Sequence, residues 1–368
     1  MRVALLSKAF VVGAYQRKCE LMAEAAPDLE LTLLTPPSWR WGERESVYTP
    51  TFVAGYHTRV LPLAQNGNFH LHRYRGLAEA LAELRPDLVH LDEEPYNLAT
   101  WLGLRAAKRV GARPIFFTWQ NLYRRYPPPF AWFERAVLRS CALALAGNRD
   151  AATILSRKGF SGACRVLPQF GVDEAFFTPA TAARADAFTV GFAGRLDPEK
   201  GVDVLLRAAA ALPGVRVELA GAGPERPALE ALAASLGLGE RVRFLGALAI
   251  EDLRAFYCRC HALVLPSRAR PNWVEQFGRV LIEAMACGTP VVGSQTGEIP
   301  NVIGEAGLTF PDGDAEVLAQ HLEALQRSPE QQRDLGARGR ARVLAHFTMR
   351  AIASETVAAY RAVLSSRP

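Results

Sequence analysis

Short apolar runs alternate with helical patterns from one end of this chain to the other, and that alternation constrains the fold more than any other feature. Parallel strands covered on both faces read as near-continuous apolar runs, and each parallel pair needs a crossover, usually a helix. In the first half such runs lie near Val3–Leu6, Leu29–Leu34, Phe52–Leu63, Leu88–Leu91, Ile115–Thr118, Ala142–Ala146 and Cys164–Pro168. In the second half they lie near Thr189–Ala193, Val215–Ala220, Val242–Leu245, Ala262–Leu265 and Pro290–Gly293. The expectation is an α/β chain of parallel sheets wound with helices. At 368 residues it exceeds what one core usually supports, so two domains are expected, and no short repeat relates them. Thr178–Asp186 is small, polar and without period, which fits a linker. The final stretch carries Met349, Ile352, Val357, Tyr360 and Val363 at helical spacing behind Thr348 as N-cap.

With 49% hydrophobic and 22% charged residues the chain can bury two cores and lacks the composition of a disordered protein. A formal charge of +6 and a pI near 9.1 suit an anionic ligand or an acidic membrane surface. They are too diffuse for nucleic acid, and Arg124-Arg125 is the nearest approach to a basic tract. Met1–Ser7 turns polar at once and reads as a first strand, not a signal peptide. No run reaches the ~18–20 apolar residues of a membrane span. A cytoplasmic chain is expected, with peripheral contact at the inner face of a membrane as an option. The six cysteines are scattered and read as reduced thiols. Cys258-Arg259-Cys260-His261 lacks the second pair of a metal cluster, and the histidines organise no site, so no metal is expected.

The most informative local feature is Pro271–Pro290, which contains Glu275 and Glu283. Phe277-Gly278 opens a helix, Val280, Leu281, Ala284 and Met285 give it an apolar stripe, and Gly288 with Pro290 ends it. Glu275 precedes the first turn. Glu283 is expected on the same helix, away from the centre of the buried stripe, so that both carboxylates face one cleft. The first-turn N–H groups around Gln276, Phe277 and Gly278 and the helix dipole favour an anion between them. Two carboxylates flanking an anion site suit a nucleotide-sugar. The competing structural account is a solvated helix with an Arg279–Glu283 i,i+4 pair.

A second constellation, Gly191–Gly201, follows a strand and precedes an amphipathic run. A glycine turn bearing Arg195 and Lys200 at a strand's carboxyl end suits a diphosphate, Arg as a planar fork and Lys as a point charge. Otherwise the two cations would pair with Asp197 and Glu199. Gly221-Ala222-Gly223 also follows a strand, but Arg226 stands where a dinucleotide fingerprint has its third glycine. Asp92-Glu93-Glu94 ends another strand and could offer carboxylates to acceptor hydroxyls, or could be an ordinary acidic helix start.

At residues 275–292 and 191–201 the chain resembles the retaining glycosyltransferases of family 4, of GT-B architecture. Their mark is a Glu-x7-Glu pair with Phe-Gly after the first Glu, then Glu-Ala-Met-Ala-x-Gly-x-Pro-Val-Val, together with an upstream Gly-Arg-Leu-x-x-x-Lys-Gly. The resemblance implies two Rossmann-like domains facing across a cleft that closes on the donor, with the last helix returning to the first. It implies donor-sugar contact at Glu275, ribose contact at Glu283, and phosphate contact at Arg195 and Lys200, with Gly194 and the amides of Gln276, Phe277 and Gly278 nearby. Three regions depart from the pattern. The first loop, Ser7–Ala14, has only Gly13 where relatives pair two glycines near the donor phosphates and acceptor. Gln120 stands where many carry a histidine, and it cannot titrate near neutrality. Asn301 and Glu298 replace a glutamate and a glycine near the donor.

The expected organisation is therefore an acceptor-side domain over 1–178, a nucleotide-sugar domain over 188–347 and a returning helix over 348–368. The expected activity is transfer of a sugar from a nucleoside-diphosphate sugar to an acceptor hydroxyl with retention, the donor being a co-substrate with no cofactor or metal required. Glu275, Arg195 and Lys200 would carry the chemistry; Gly13, Gly194, Gln276, Phe277, Gly278 and Glu283 would bind donor; Gln120, Glu93 and Glu94 would serve the acceptor side. The alternatives are an NAD-dependent dehydrogenase, resting on Gly221-Ala222-Gly223, and a non-catalytic sugar-nucleotide-binding relative.

Overall fold

The computed structural model describes residues 1–42, 44–180 and 185–366. The chain divides into two compact units, Met1–Gly171 with Met349–Pro368, and Val172–Thr348. Residues 172–178 were expected to close the first domain but belong to the second unit. The Val172 N–H donates to the Phe347 carbonyl at 2.9 Å and Val172 bridges Thr348, while buried Phe177 lies 6.2 Å from the Tyr257 ring. Of the expected linker Thr178–Asp186, residues 181–184 lie outside the described residues.

The first unit is built on a seven-stranded parallel sheet in the order Ala163–Val166, Leu143–Ala146, Arg113–Thr118, Leu88–Leu91, Arg2–Leu6, Glu30–Thr35, His57–Val60. Alternation places Val3 and Leu5 in one core and Ala4 and Leu6 in another, as a strand covered on both faces requires. The first core is completed by the helix Gly13–Ala25 and the helix Met349–Ser365, which pack together and bury Met22, Ile352, Val357 and Tyr360. Tyr360 also reaches beneath the sheet, its hydroxyl 2.8 Å from His90 Nδ1. The order reverses between Arg2–Leu6 and Leu88–Leu91, so the loops after these strands meet at the switch point.

Two features were not expected. The run Phe52–Leu63 holds only the strand His57–Val60, and Leu63–Ala64 pairs antiparallel with Arg73–Tyr74 instead. Pro62 separates the two, because it cannot donate to a ladder. Ser38–Trp41 and Arg44–Val47 pair antiparallel, burying Trp39 and leaving Trp41 exposed.

The second unit has a six-stranded sheet, again all parallel, in the order Val242–Gly246, Arg216–Ala220, Thr189–Ala193, Ala262–Leu265, Val291–Ser294, Leu308–Phe310. In chain order this is 3-2-1-4-5-6, the doubly wound arrangement with its crevice between the first and fourth strands. Those strands end at Ala193 and Leu265, directly before both motifs singled out in the sequence. Among the described residues no helix is long and apolar enough to cross a membrane.

Candidate functional site

Two loops meet at the switch point of the second sheet. Gly201 adopts φ +63°, and a Cβ there would lie 2.1 Å from the Pro266 carbonyl oxygen, so the 194–201 loop presses its backbone against the 266–278 loop. That approach brings Lys200 to Glu275. Lys200 Nζ lies 2.7 Å from Glu275 Oε2, Ser267 Oγ donates to the same oxygen at 3.0 Å, and the ammonium sits 4.8 Å from the Trp273 ring centroid. The side chains are 20% and 10% exposed, so the pair is largely desolvated. The Glu298 N–H donates to the Glu275 carbonyl at 3.2 Å and ties the carboxylate's backbone to the loop after Val291–Ser294.

Gln276, Phe277 and Gly278 then lead into the helix Arg279–Ala286, with exposed Gln276, buried Phe277 and Gly278 as the left-handed N-cap. Phe277 packs edge-on against Phe347, centroids 5.8 Å apart, which anchors the helix start. The helix carries no acidic residue in its first turn and no side-chain cap hydrogen bond at Gly278, and its dipole end favours an anion.

Glu283 is not where the apolar stripe implied. It is buried among Leu281, Ile282, Ala284 and Met285, because the helix Ile250–Arg259 packs over that side and brings Tyr257 with it. Tyr257 Oη donates to Glu283 Oε2 at 2.8 Å and Arg279 Nε donates to Oε1 at 2.9 Å. The i,i+4 pair therefore forms, but on a buried carboxylate. Burial and the adjacent Glu283 charge push the Tyr257 hydroxyl well above its ordinary pKa, so it stays a donor.

Arg195 takes neither Glu275 nor Glu283. Its guanidinium is 74% exposed and forks onto Asp197, Nε to Oδ2 at 2.7 Å and Nη2 to Oδ1 at 3.2 Å. This hydrogen bond raises its pKa further, and the group stays cationic. Gly194 precedes it, and a Cβ at Gly221 would lie 1.8 Å from the Gly194 carbonyl oxygen. The glycines of Gly221-Ala222-Gly223 are thus explained by backbone packing against residues 194–196, which removes the main support for a dinucleotide reading.

In the first unit the residues after Leu6, Leu91 and Thr118 share the carboxyl edge of the sheet, but their side chains are occupied internally. Glu93 is buried and bonds to Lys8 through both the Lys8 N–H and the ammonium, and it accepts from Tyr74 Oη at 2.9 Å. Burial would raise its pKa, but Lys8 and His72 outweigh that and hold it well below the carboxylate range. The expected acceptor-facing role is corrected here: Glu93 anchors the 7–12 loop. Glu94 accepts from Thr118 Oγ1 at 2.6 Å and the Trp119 N–H at 2.8 Å, with burial pushing it to about 6 against these bonds. Gln120 is buried, donating to Tyr126 Oη at 3.2 Å and accepting from Lys158 Nζ at 3.1 Å. Gly13 opens its helix, and a Cβ there would lie 2.3 Å from Thr51 Oγ1, so local packing also demands the glycine.

Tyr257, Ser267 and Trp273 were not anticipated. Ser267 could have been suspected from its place just after the strand Ala262–Leu265. Tyr257 had no such signal, because its partner lies 26 residues away.

The family described as Glycosyl transferases group 1 matches residues 173–342, and the Glycosyl transferase 4-like domain matches residues 13–169. D-inositol 3-phosphate glycosyltransferase of Mycobacteroides abscessus is 41% identical over 156 residues, 38% of this chain and 34% of that protein. The chain thus matches about a third of that relative's length. The GDP-mannose-dependent alpha-(1-6)-phosphatidylinositol monomannoside mannosyltransferase of Mycolicibacterium smegmatis is 30% identical, over 64% of this chain and 66% of that protein. Among solved structures, sucrose-phosphate synthase from Thermosynechococcus elongatus superposes with a TM-score of 0.74 at 24% identity, covering 100% of both chains. Anabaena HepE in complex with UDP gives 0.74 at 18% identity, covering 98% of this chain and 100% of its own. With two parallel-sheet units and a family match on each, the chain belongs to the group 1, family 4-like glycosyltransferases of GT-B architecture.

Proposed function

We propose that this chain transfers a sugar from a nucleoside-diphosphate sugar to an acceptor hydroxyl with retention of configuration. The carrying observation is the Lys200–Glu275 ion pair at the switch-point edge of the second sheet, beside the N-terminus of the Arg279–Ala286 helix. A lysine ammonium has three donors, so contact with Glu275 leaves Lys200 able to meet a diphosphate as well. Lys200, the helix dipole and Arg195 on its exposed fork supply countercharge where a leaving diphosphate would develop it, the preorganised electrostatics that usually dominates such catalysis. Glu275 orients the sugar hydroxyls, and Glu283, held by Tyr257 and Arg279, takes the ribose. The glycosidic bond to phosphate breaks, a leaving phosphate oxygen accepts the acceptor's proton, and the acceptor oxygen bonds to the same face of the sugar.

No metal is needed in this scheme. Among the described residues no group of three or more His, Cys, Asp or Glu side chains is placed to hold one. UDP in the HepE structure and GDP-mannose in the mannosyltransferase's name motivate trying both nucleotides, and the relatives' names make inositol phosphates sensible first acceptors. The test is incubation with labelled UDP- and GDP-sugars and an acceptor panel, with the product's anomeric configuration read by NMR. Retained configuration supports the proposal and inverted product refutes the stereochemistry. Donor binding without turnover on any acceptor would favour the non-catalytic relative.

A further inference from the structure

Beside the Tyr257–Glu283 contact, a second pair joins the same two helices. Cys258 follows Tyr257 on Ile250–Arg259, and Cys287 is the C-cap of Arg279–Ala286, its N–H donating to the Glu283 carbonyl at 3.2 Å. The two sulfurs hydrogen-bond to each other, and both line a cavity of about 530 Å³. Arg333, Arg340 and Leu344, on the helix Pro329–His346, form part of its wall. The two thiols are not equivalent. Cys287 is buried and Cys258 half-buried, with Cys258 Sγ 3.5 Å from the Thr178 carbonyl oxygen. The hydrogen bond to Cys258, and then burial, hold the Cys287 thiol well above its ordinary pKa, so Cys287 keeps its proton and donates it. Cys258, the less buried of the two, is the sulfur that a hydroperoxide entering the cavity reaches first.

We propose that Cys258 and Cys287 form a dithiol modification site, which a hydroperoxide closes into a disulfide between the 250–259 and 279–286 helices, Cys258 attacking and Cys287 resolving. The Cys258 thiolate attacks the outer peroxide oxygen; the S–O bond forms as the O–O bond breaks, and the alcohol leaves after taking up a proton. Oxidation removes the Cys258 acceptor, and Cys287 then attacks the sulfenic sulfur, its proton leaving with the displaced hydroxide as water as the S–S bond forms. Two thiols and one hydroperoxide give one disulfide, one alcohol and one water. The site also fits a trivalent arsenical, which bridges two adjacent sulfurs with loss of water.

The test uses the folded full-length chain. Phenylarsine oxide should be captured once per chain, and both Cys258→Ser and Cys287→Ser should lose that capture, while Cys164→Ser, at an exposed thiol, should keep it. In a separate sample of untreated chain, one equivalent of hydrogen peroxide should remove two hydrogen masses and give a 258–287 linked peptide that dithiothreitol reverses. The wild-type peptide map carries the test even if Cys287→Ser fails to fold. No arsenical capture by the folded wild type, or a Cys258 sulfenic acid trapped without progress to disulfide, overturns the proposal. Neither readout depends on glycosyl transfer.

Discussion

Replacing Lys200 with methionine keeps the length and apolar stem of the side chain but removes the ammonium that faces Glu275. The partners are 20% and 10% exposed, between a surface pair and a core pair. Surface pairs contribute about 0–1 kcal/mol and breaking a fully buried one costs about 3–5, so a stability loss of about 1–3 kcal/mol is expected. Glu275 would retain only the Ser267 hydroxyl on Oε2 among the partners seen here. The effect on turnover should be larger, on the order of 10²–10³, equivalent to about 2.7–4 kcal/mol of lost charge stabilisation. Arg195→Met should behave differently in one respect. Its guanidinium is 74% exposed, so stability should stay within about 0.5 kcal/mol, while turnover falls by a similar order through lost phosphate contact. Urea unfolding gives the first quantity and nucleoside-diphosphate release the second. A folded Lys200→Met variant with near-normal turnover would refute the diphosphate site built on this lysine.

Tyr257→Phe keeps the ring packing but removes one donor from buried Glu283, so nucleoside-diphosphate affinity should fall by about 1.5–3 kcal/mol by calorimetry, with turnover at saturating donor far less affected. Glu94 is raised to about 6 from 4.5 by burial, so the folded chain binds its proton more tightly than the unfolded chain; that contribution is full below about 4.5 and lost as pH rises through about 6, and Glu94→Gln should flatten the slope in unfolding measured across this window. Ile352→Ala opens a cavity where the last helix meets the first core and should destabilise that unit by about 2–5 kcal/mol in urea. EDTA should leave turnover unchanged, and activity restored only by added divalent ion would contradict the countercharge scheme.

Much of this was readable from the chain because its signals are local. Ala193, Leu265 and their following loops could be placed on a sheet edge from apolar runs and glycines alone. Contacts set by distant packing were not readable. Local spacing offers Lys200 only near neighbours such as Glu199 as structural partners, whereas the fold gives it Glu275, 75 residues on. Glu283 looked peripheral because a helix's own pattern cannot say that a second helix will cover its edge with a tyrosine. Glu93 read as a carboxylate offered to a ligand, yet Lys8, His72 and Tyr74 converge on it from separate elements. The strand run Phe52–Leu63 overreached because a propensity pattern does not reveal where Pro62 redirects the pairing.

The division of labour between the two glutamates is the centre of the account, and titration of two variants tests it most directly. Glu283→Gln should weaken both the free nucleoside diphosphate and the nucleotide-sugar, since the ribose is common to them, by about 1.5–3 kcal/mol. Glu275→Gln should leave free diphosphate affinity close to wild type while transfer is lost, because its partner is present only on the sugar. If Glu275→Gln impaired diphosphate binding as much as Glu283→Gln, with both variants folded, the assignment of sugar to one carboxylate and ribose to the other would be contradicted.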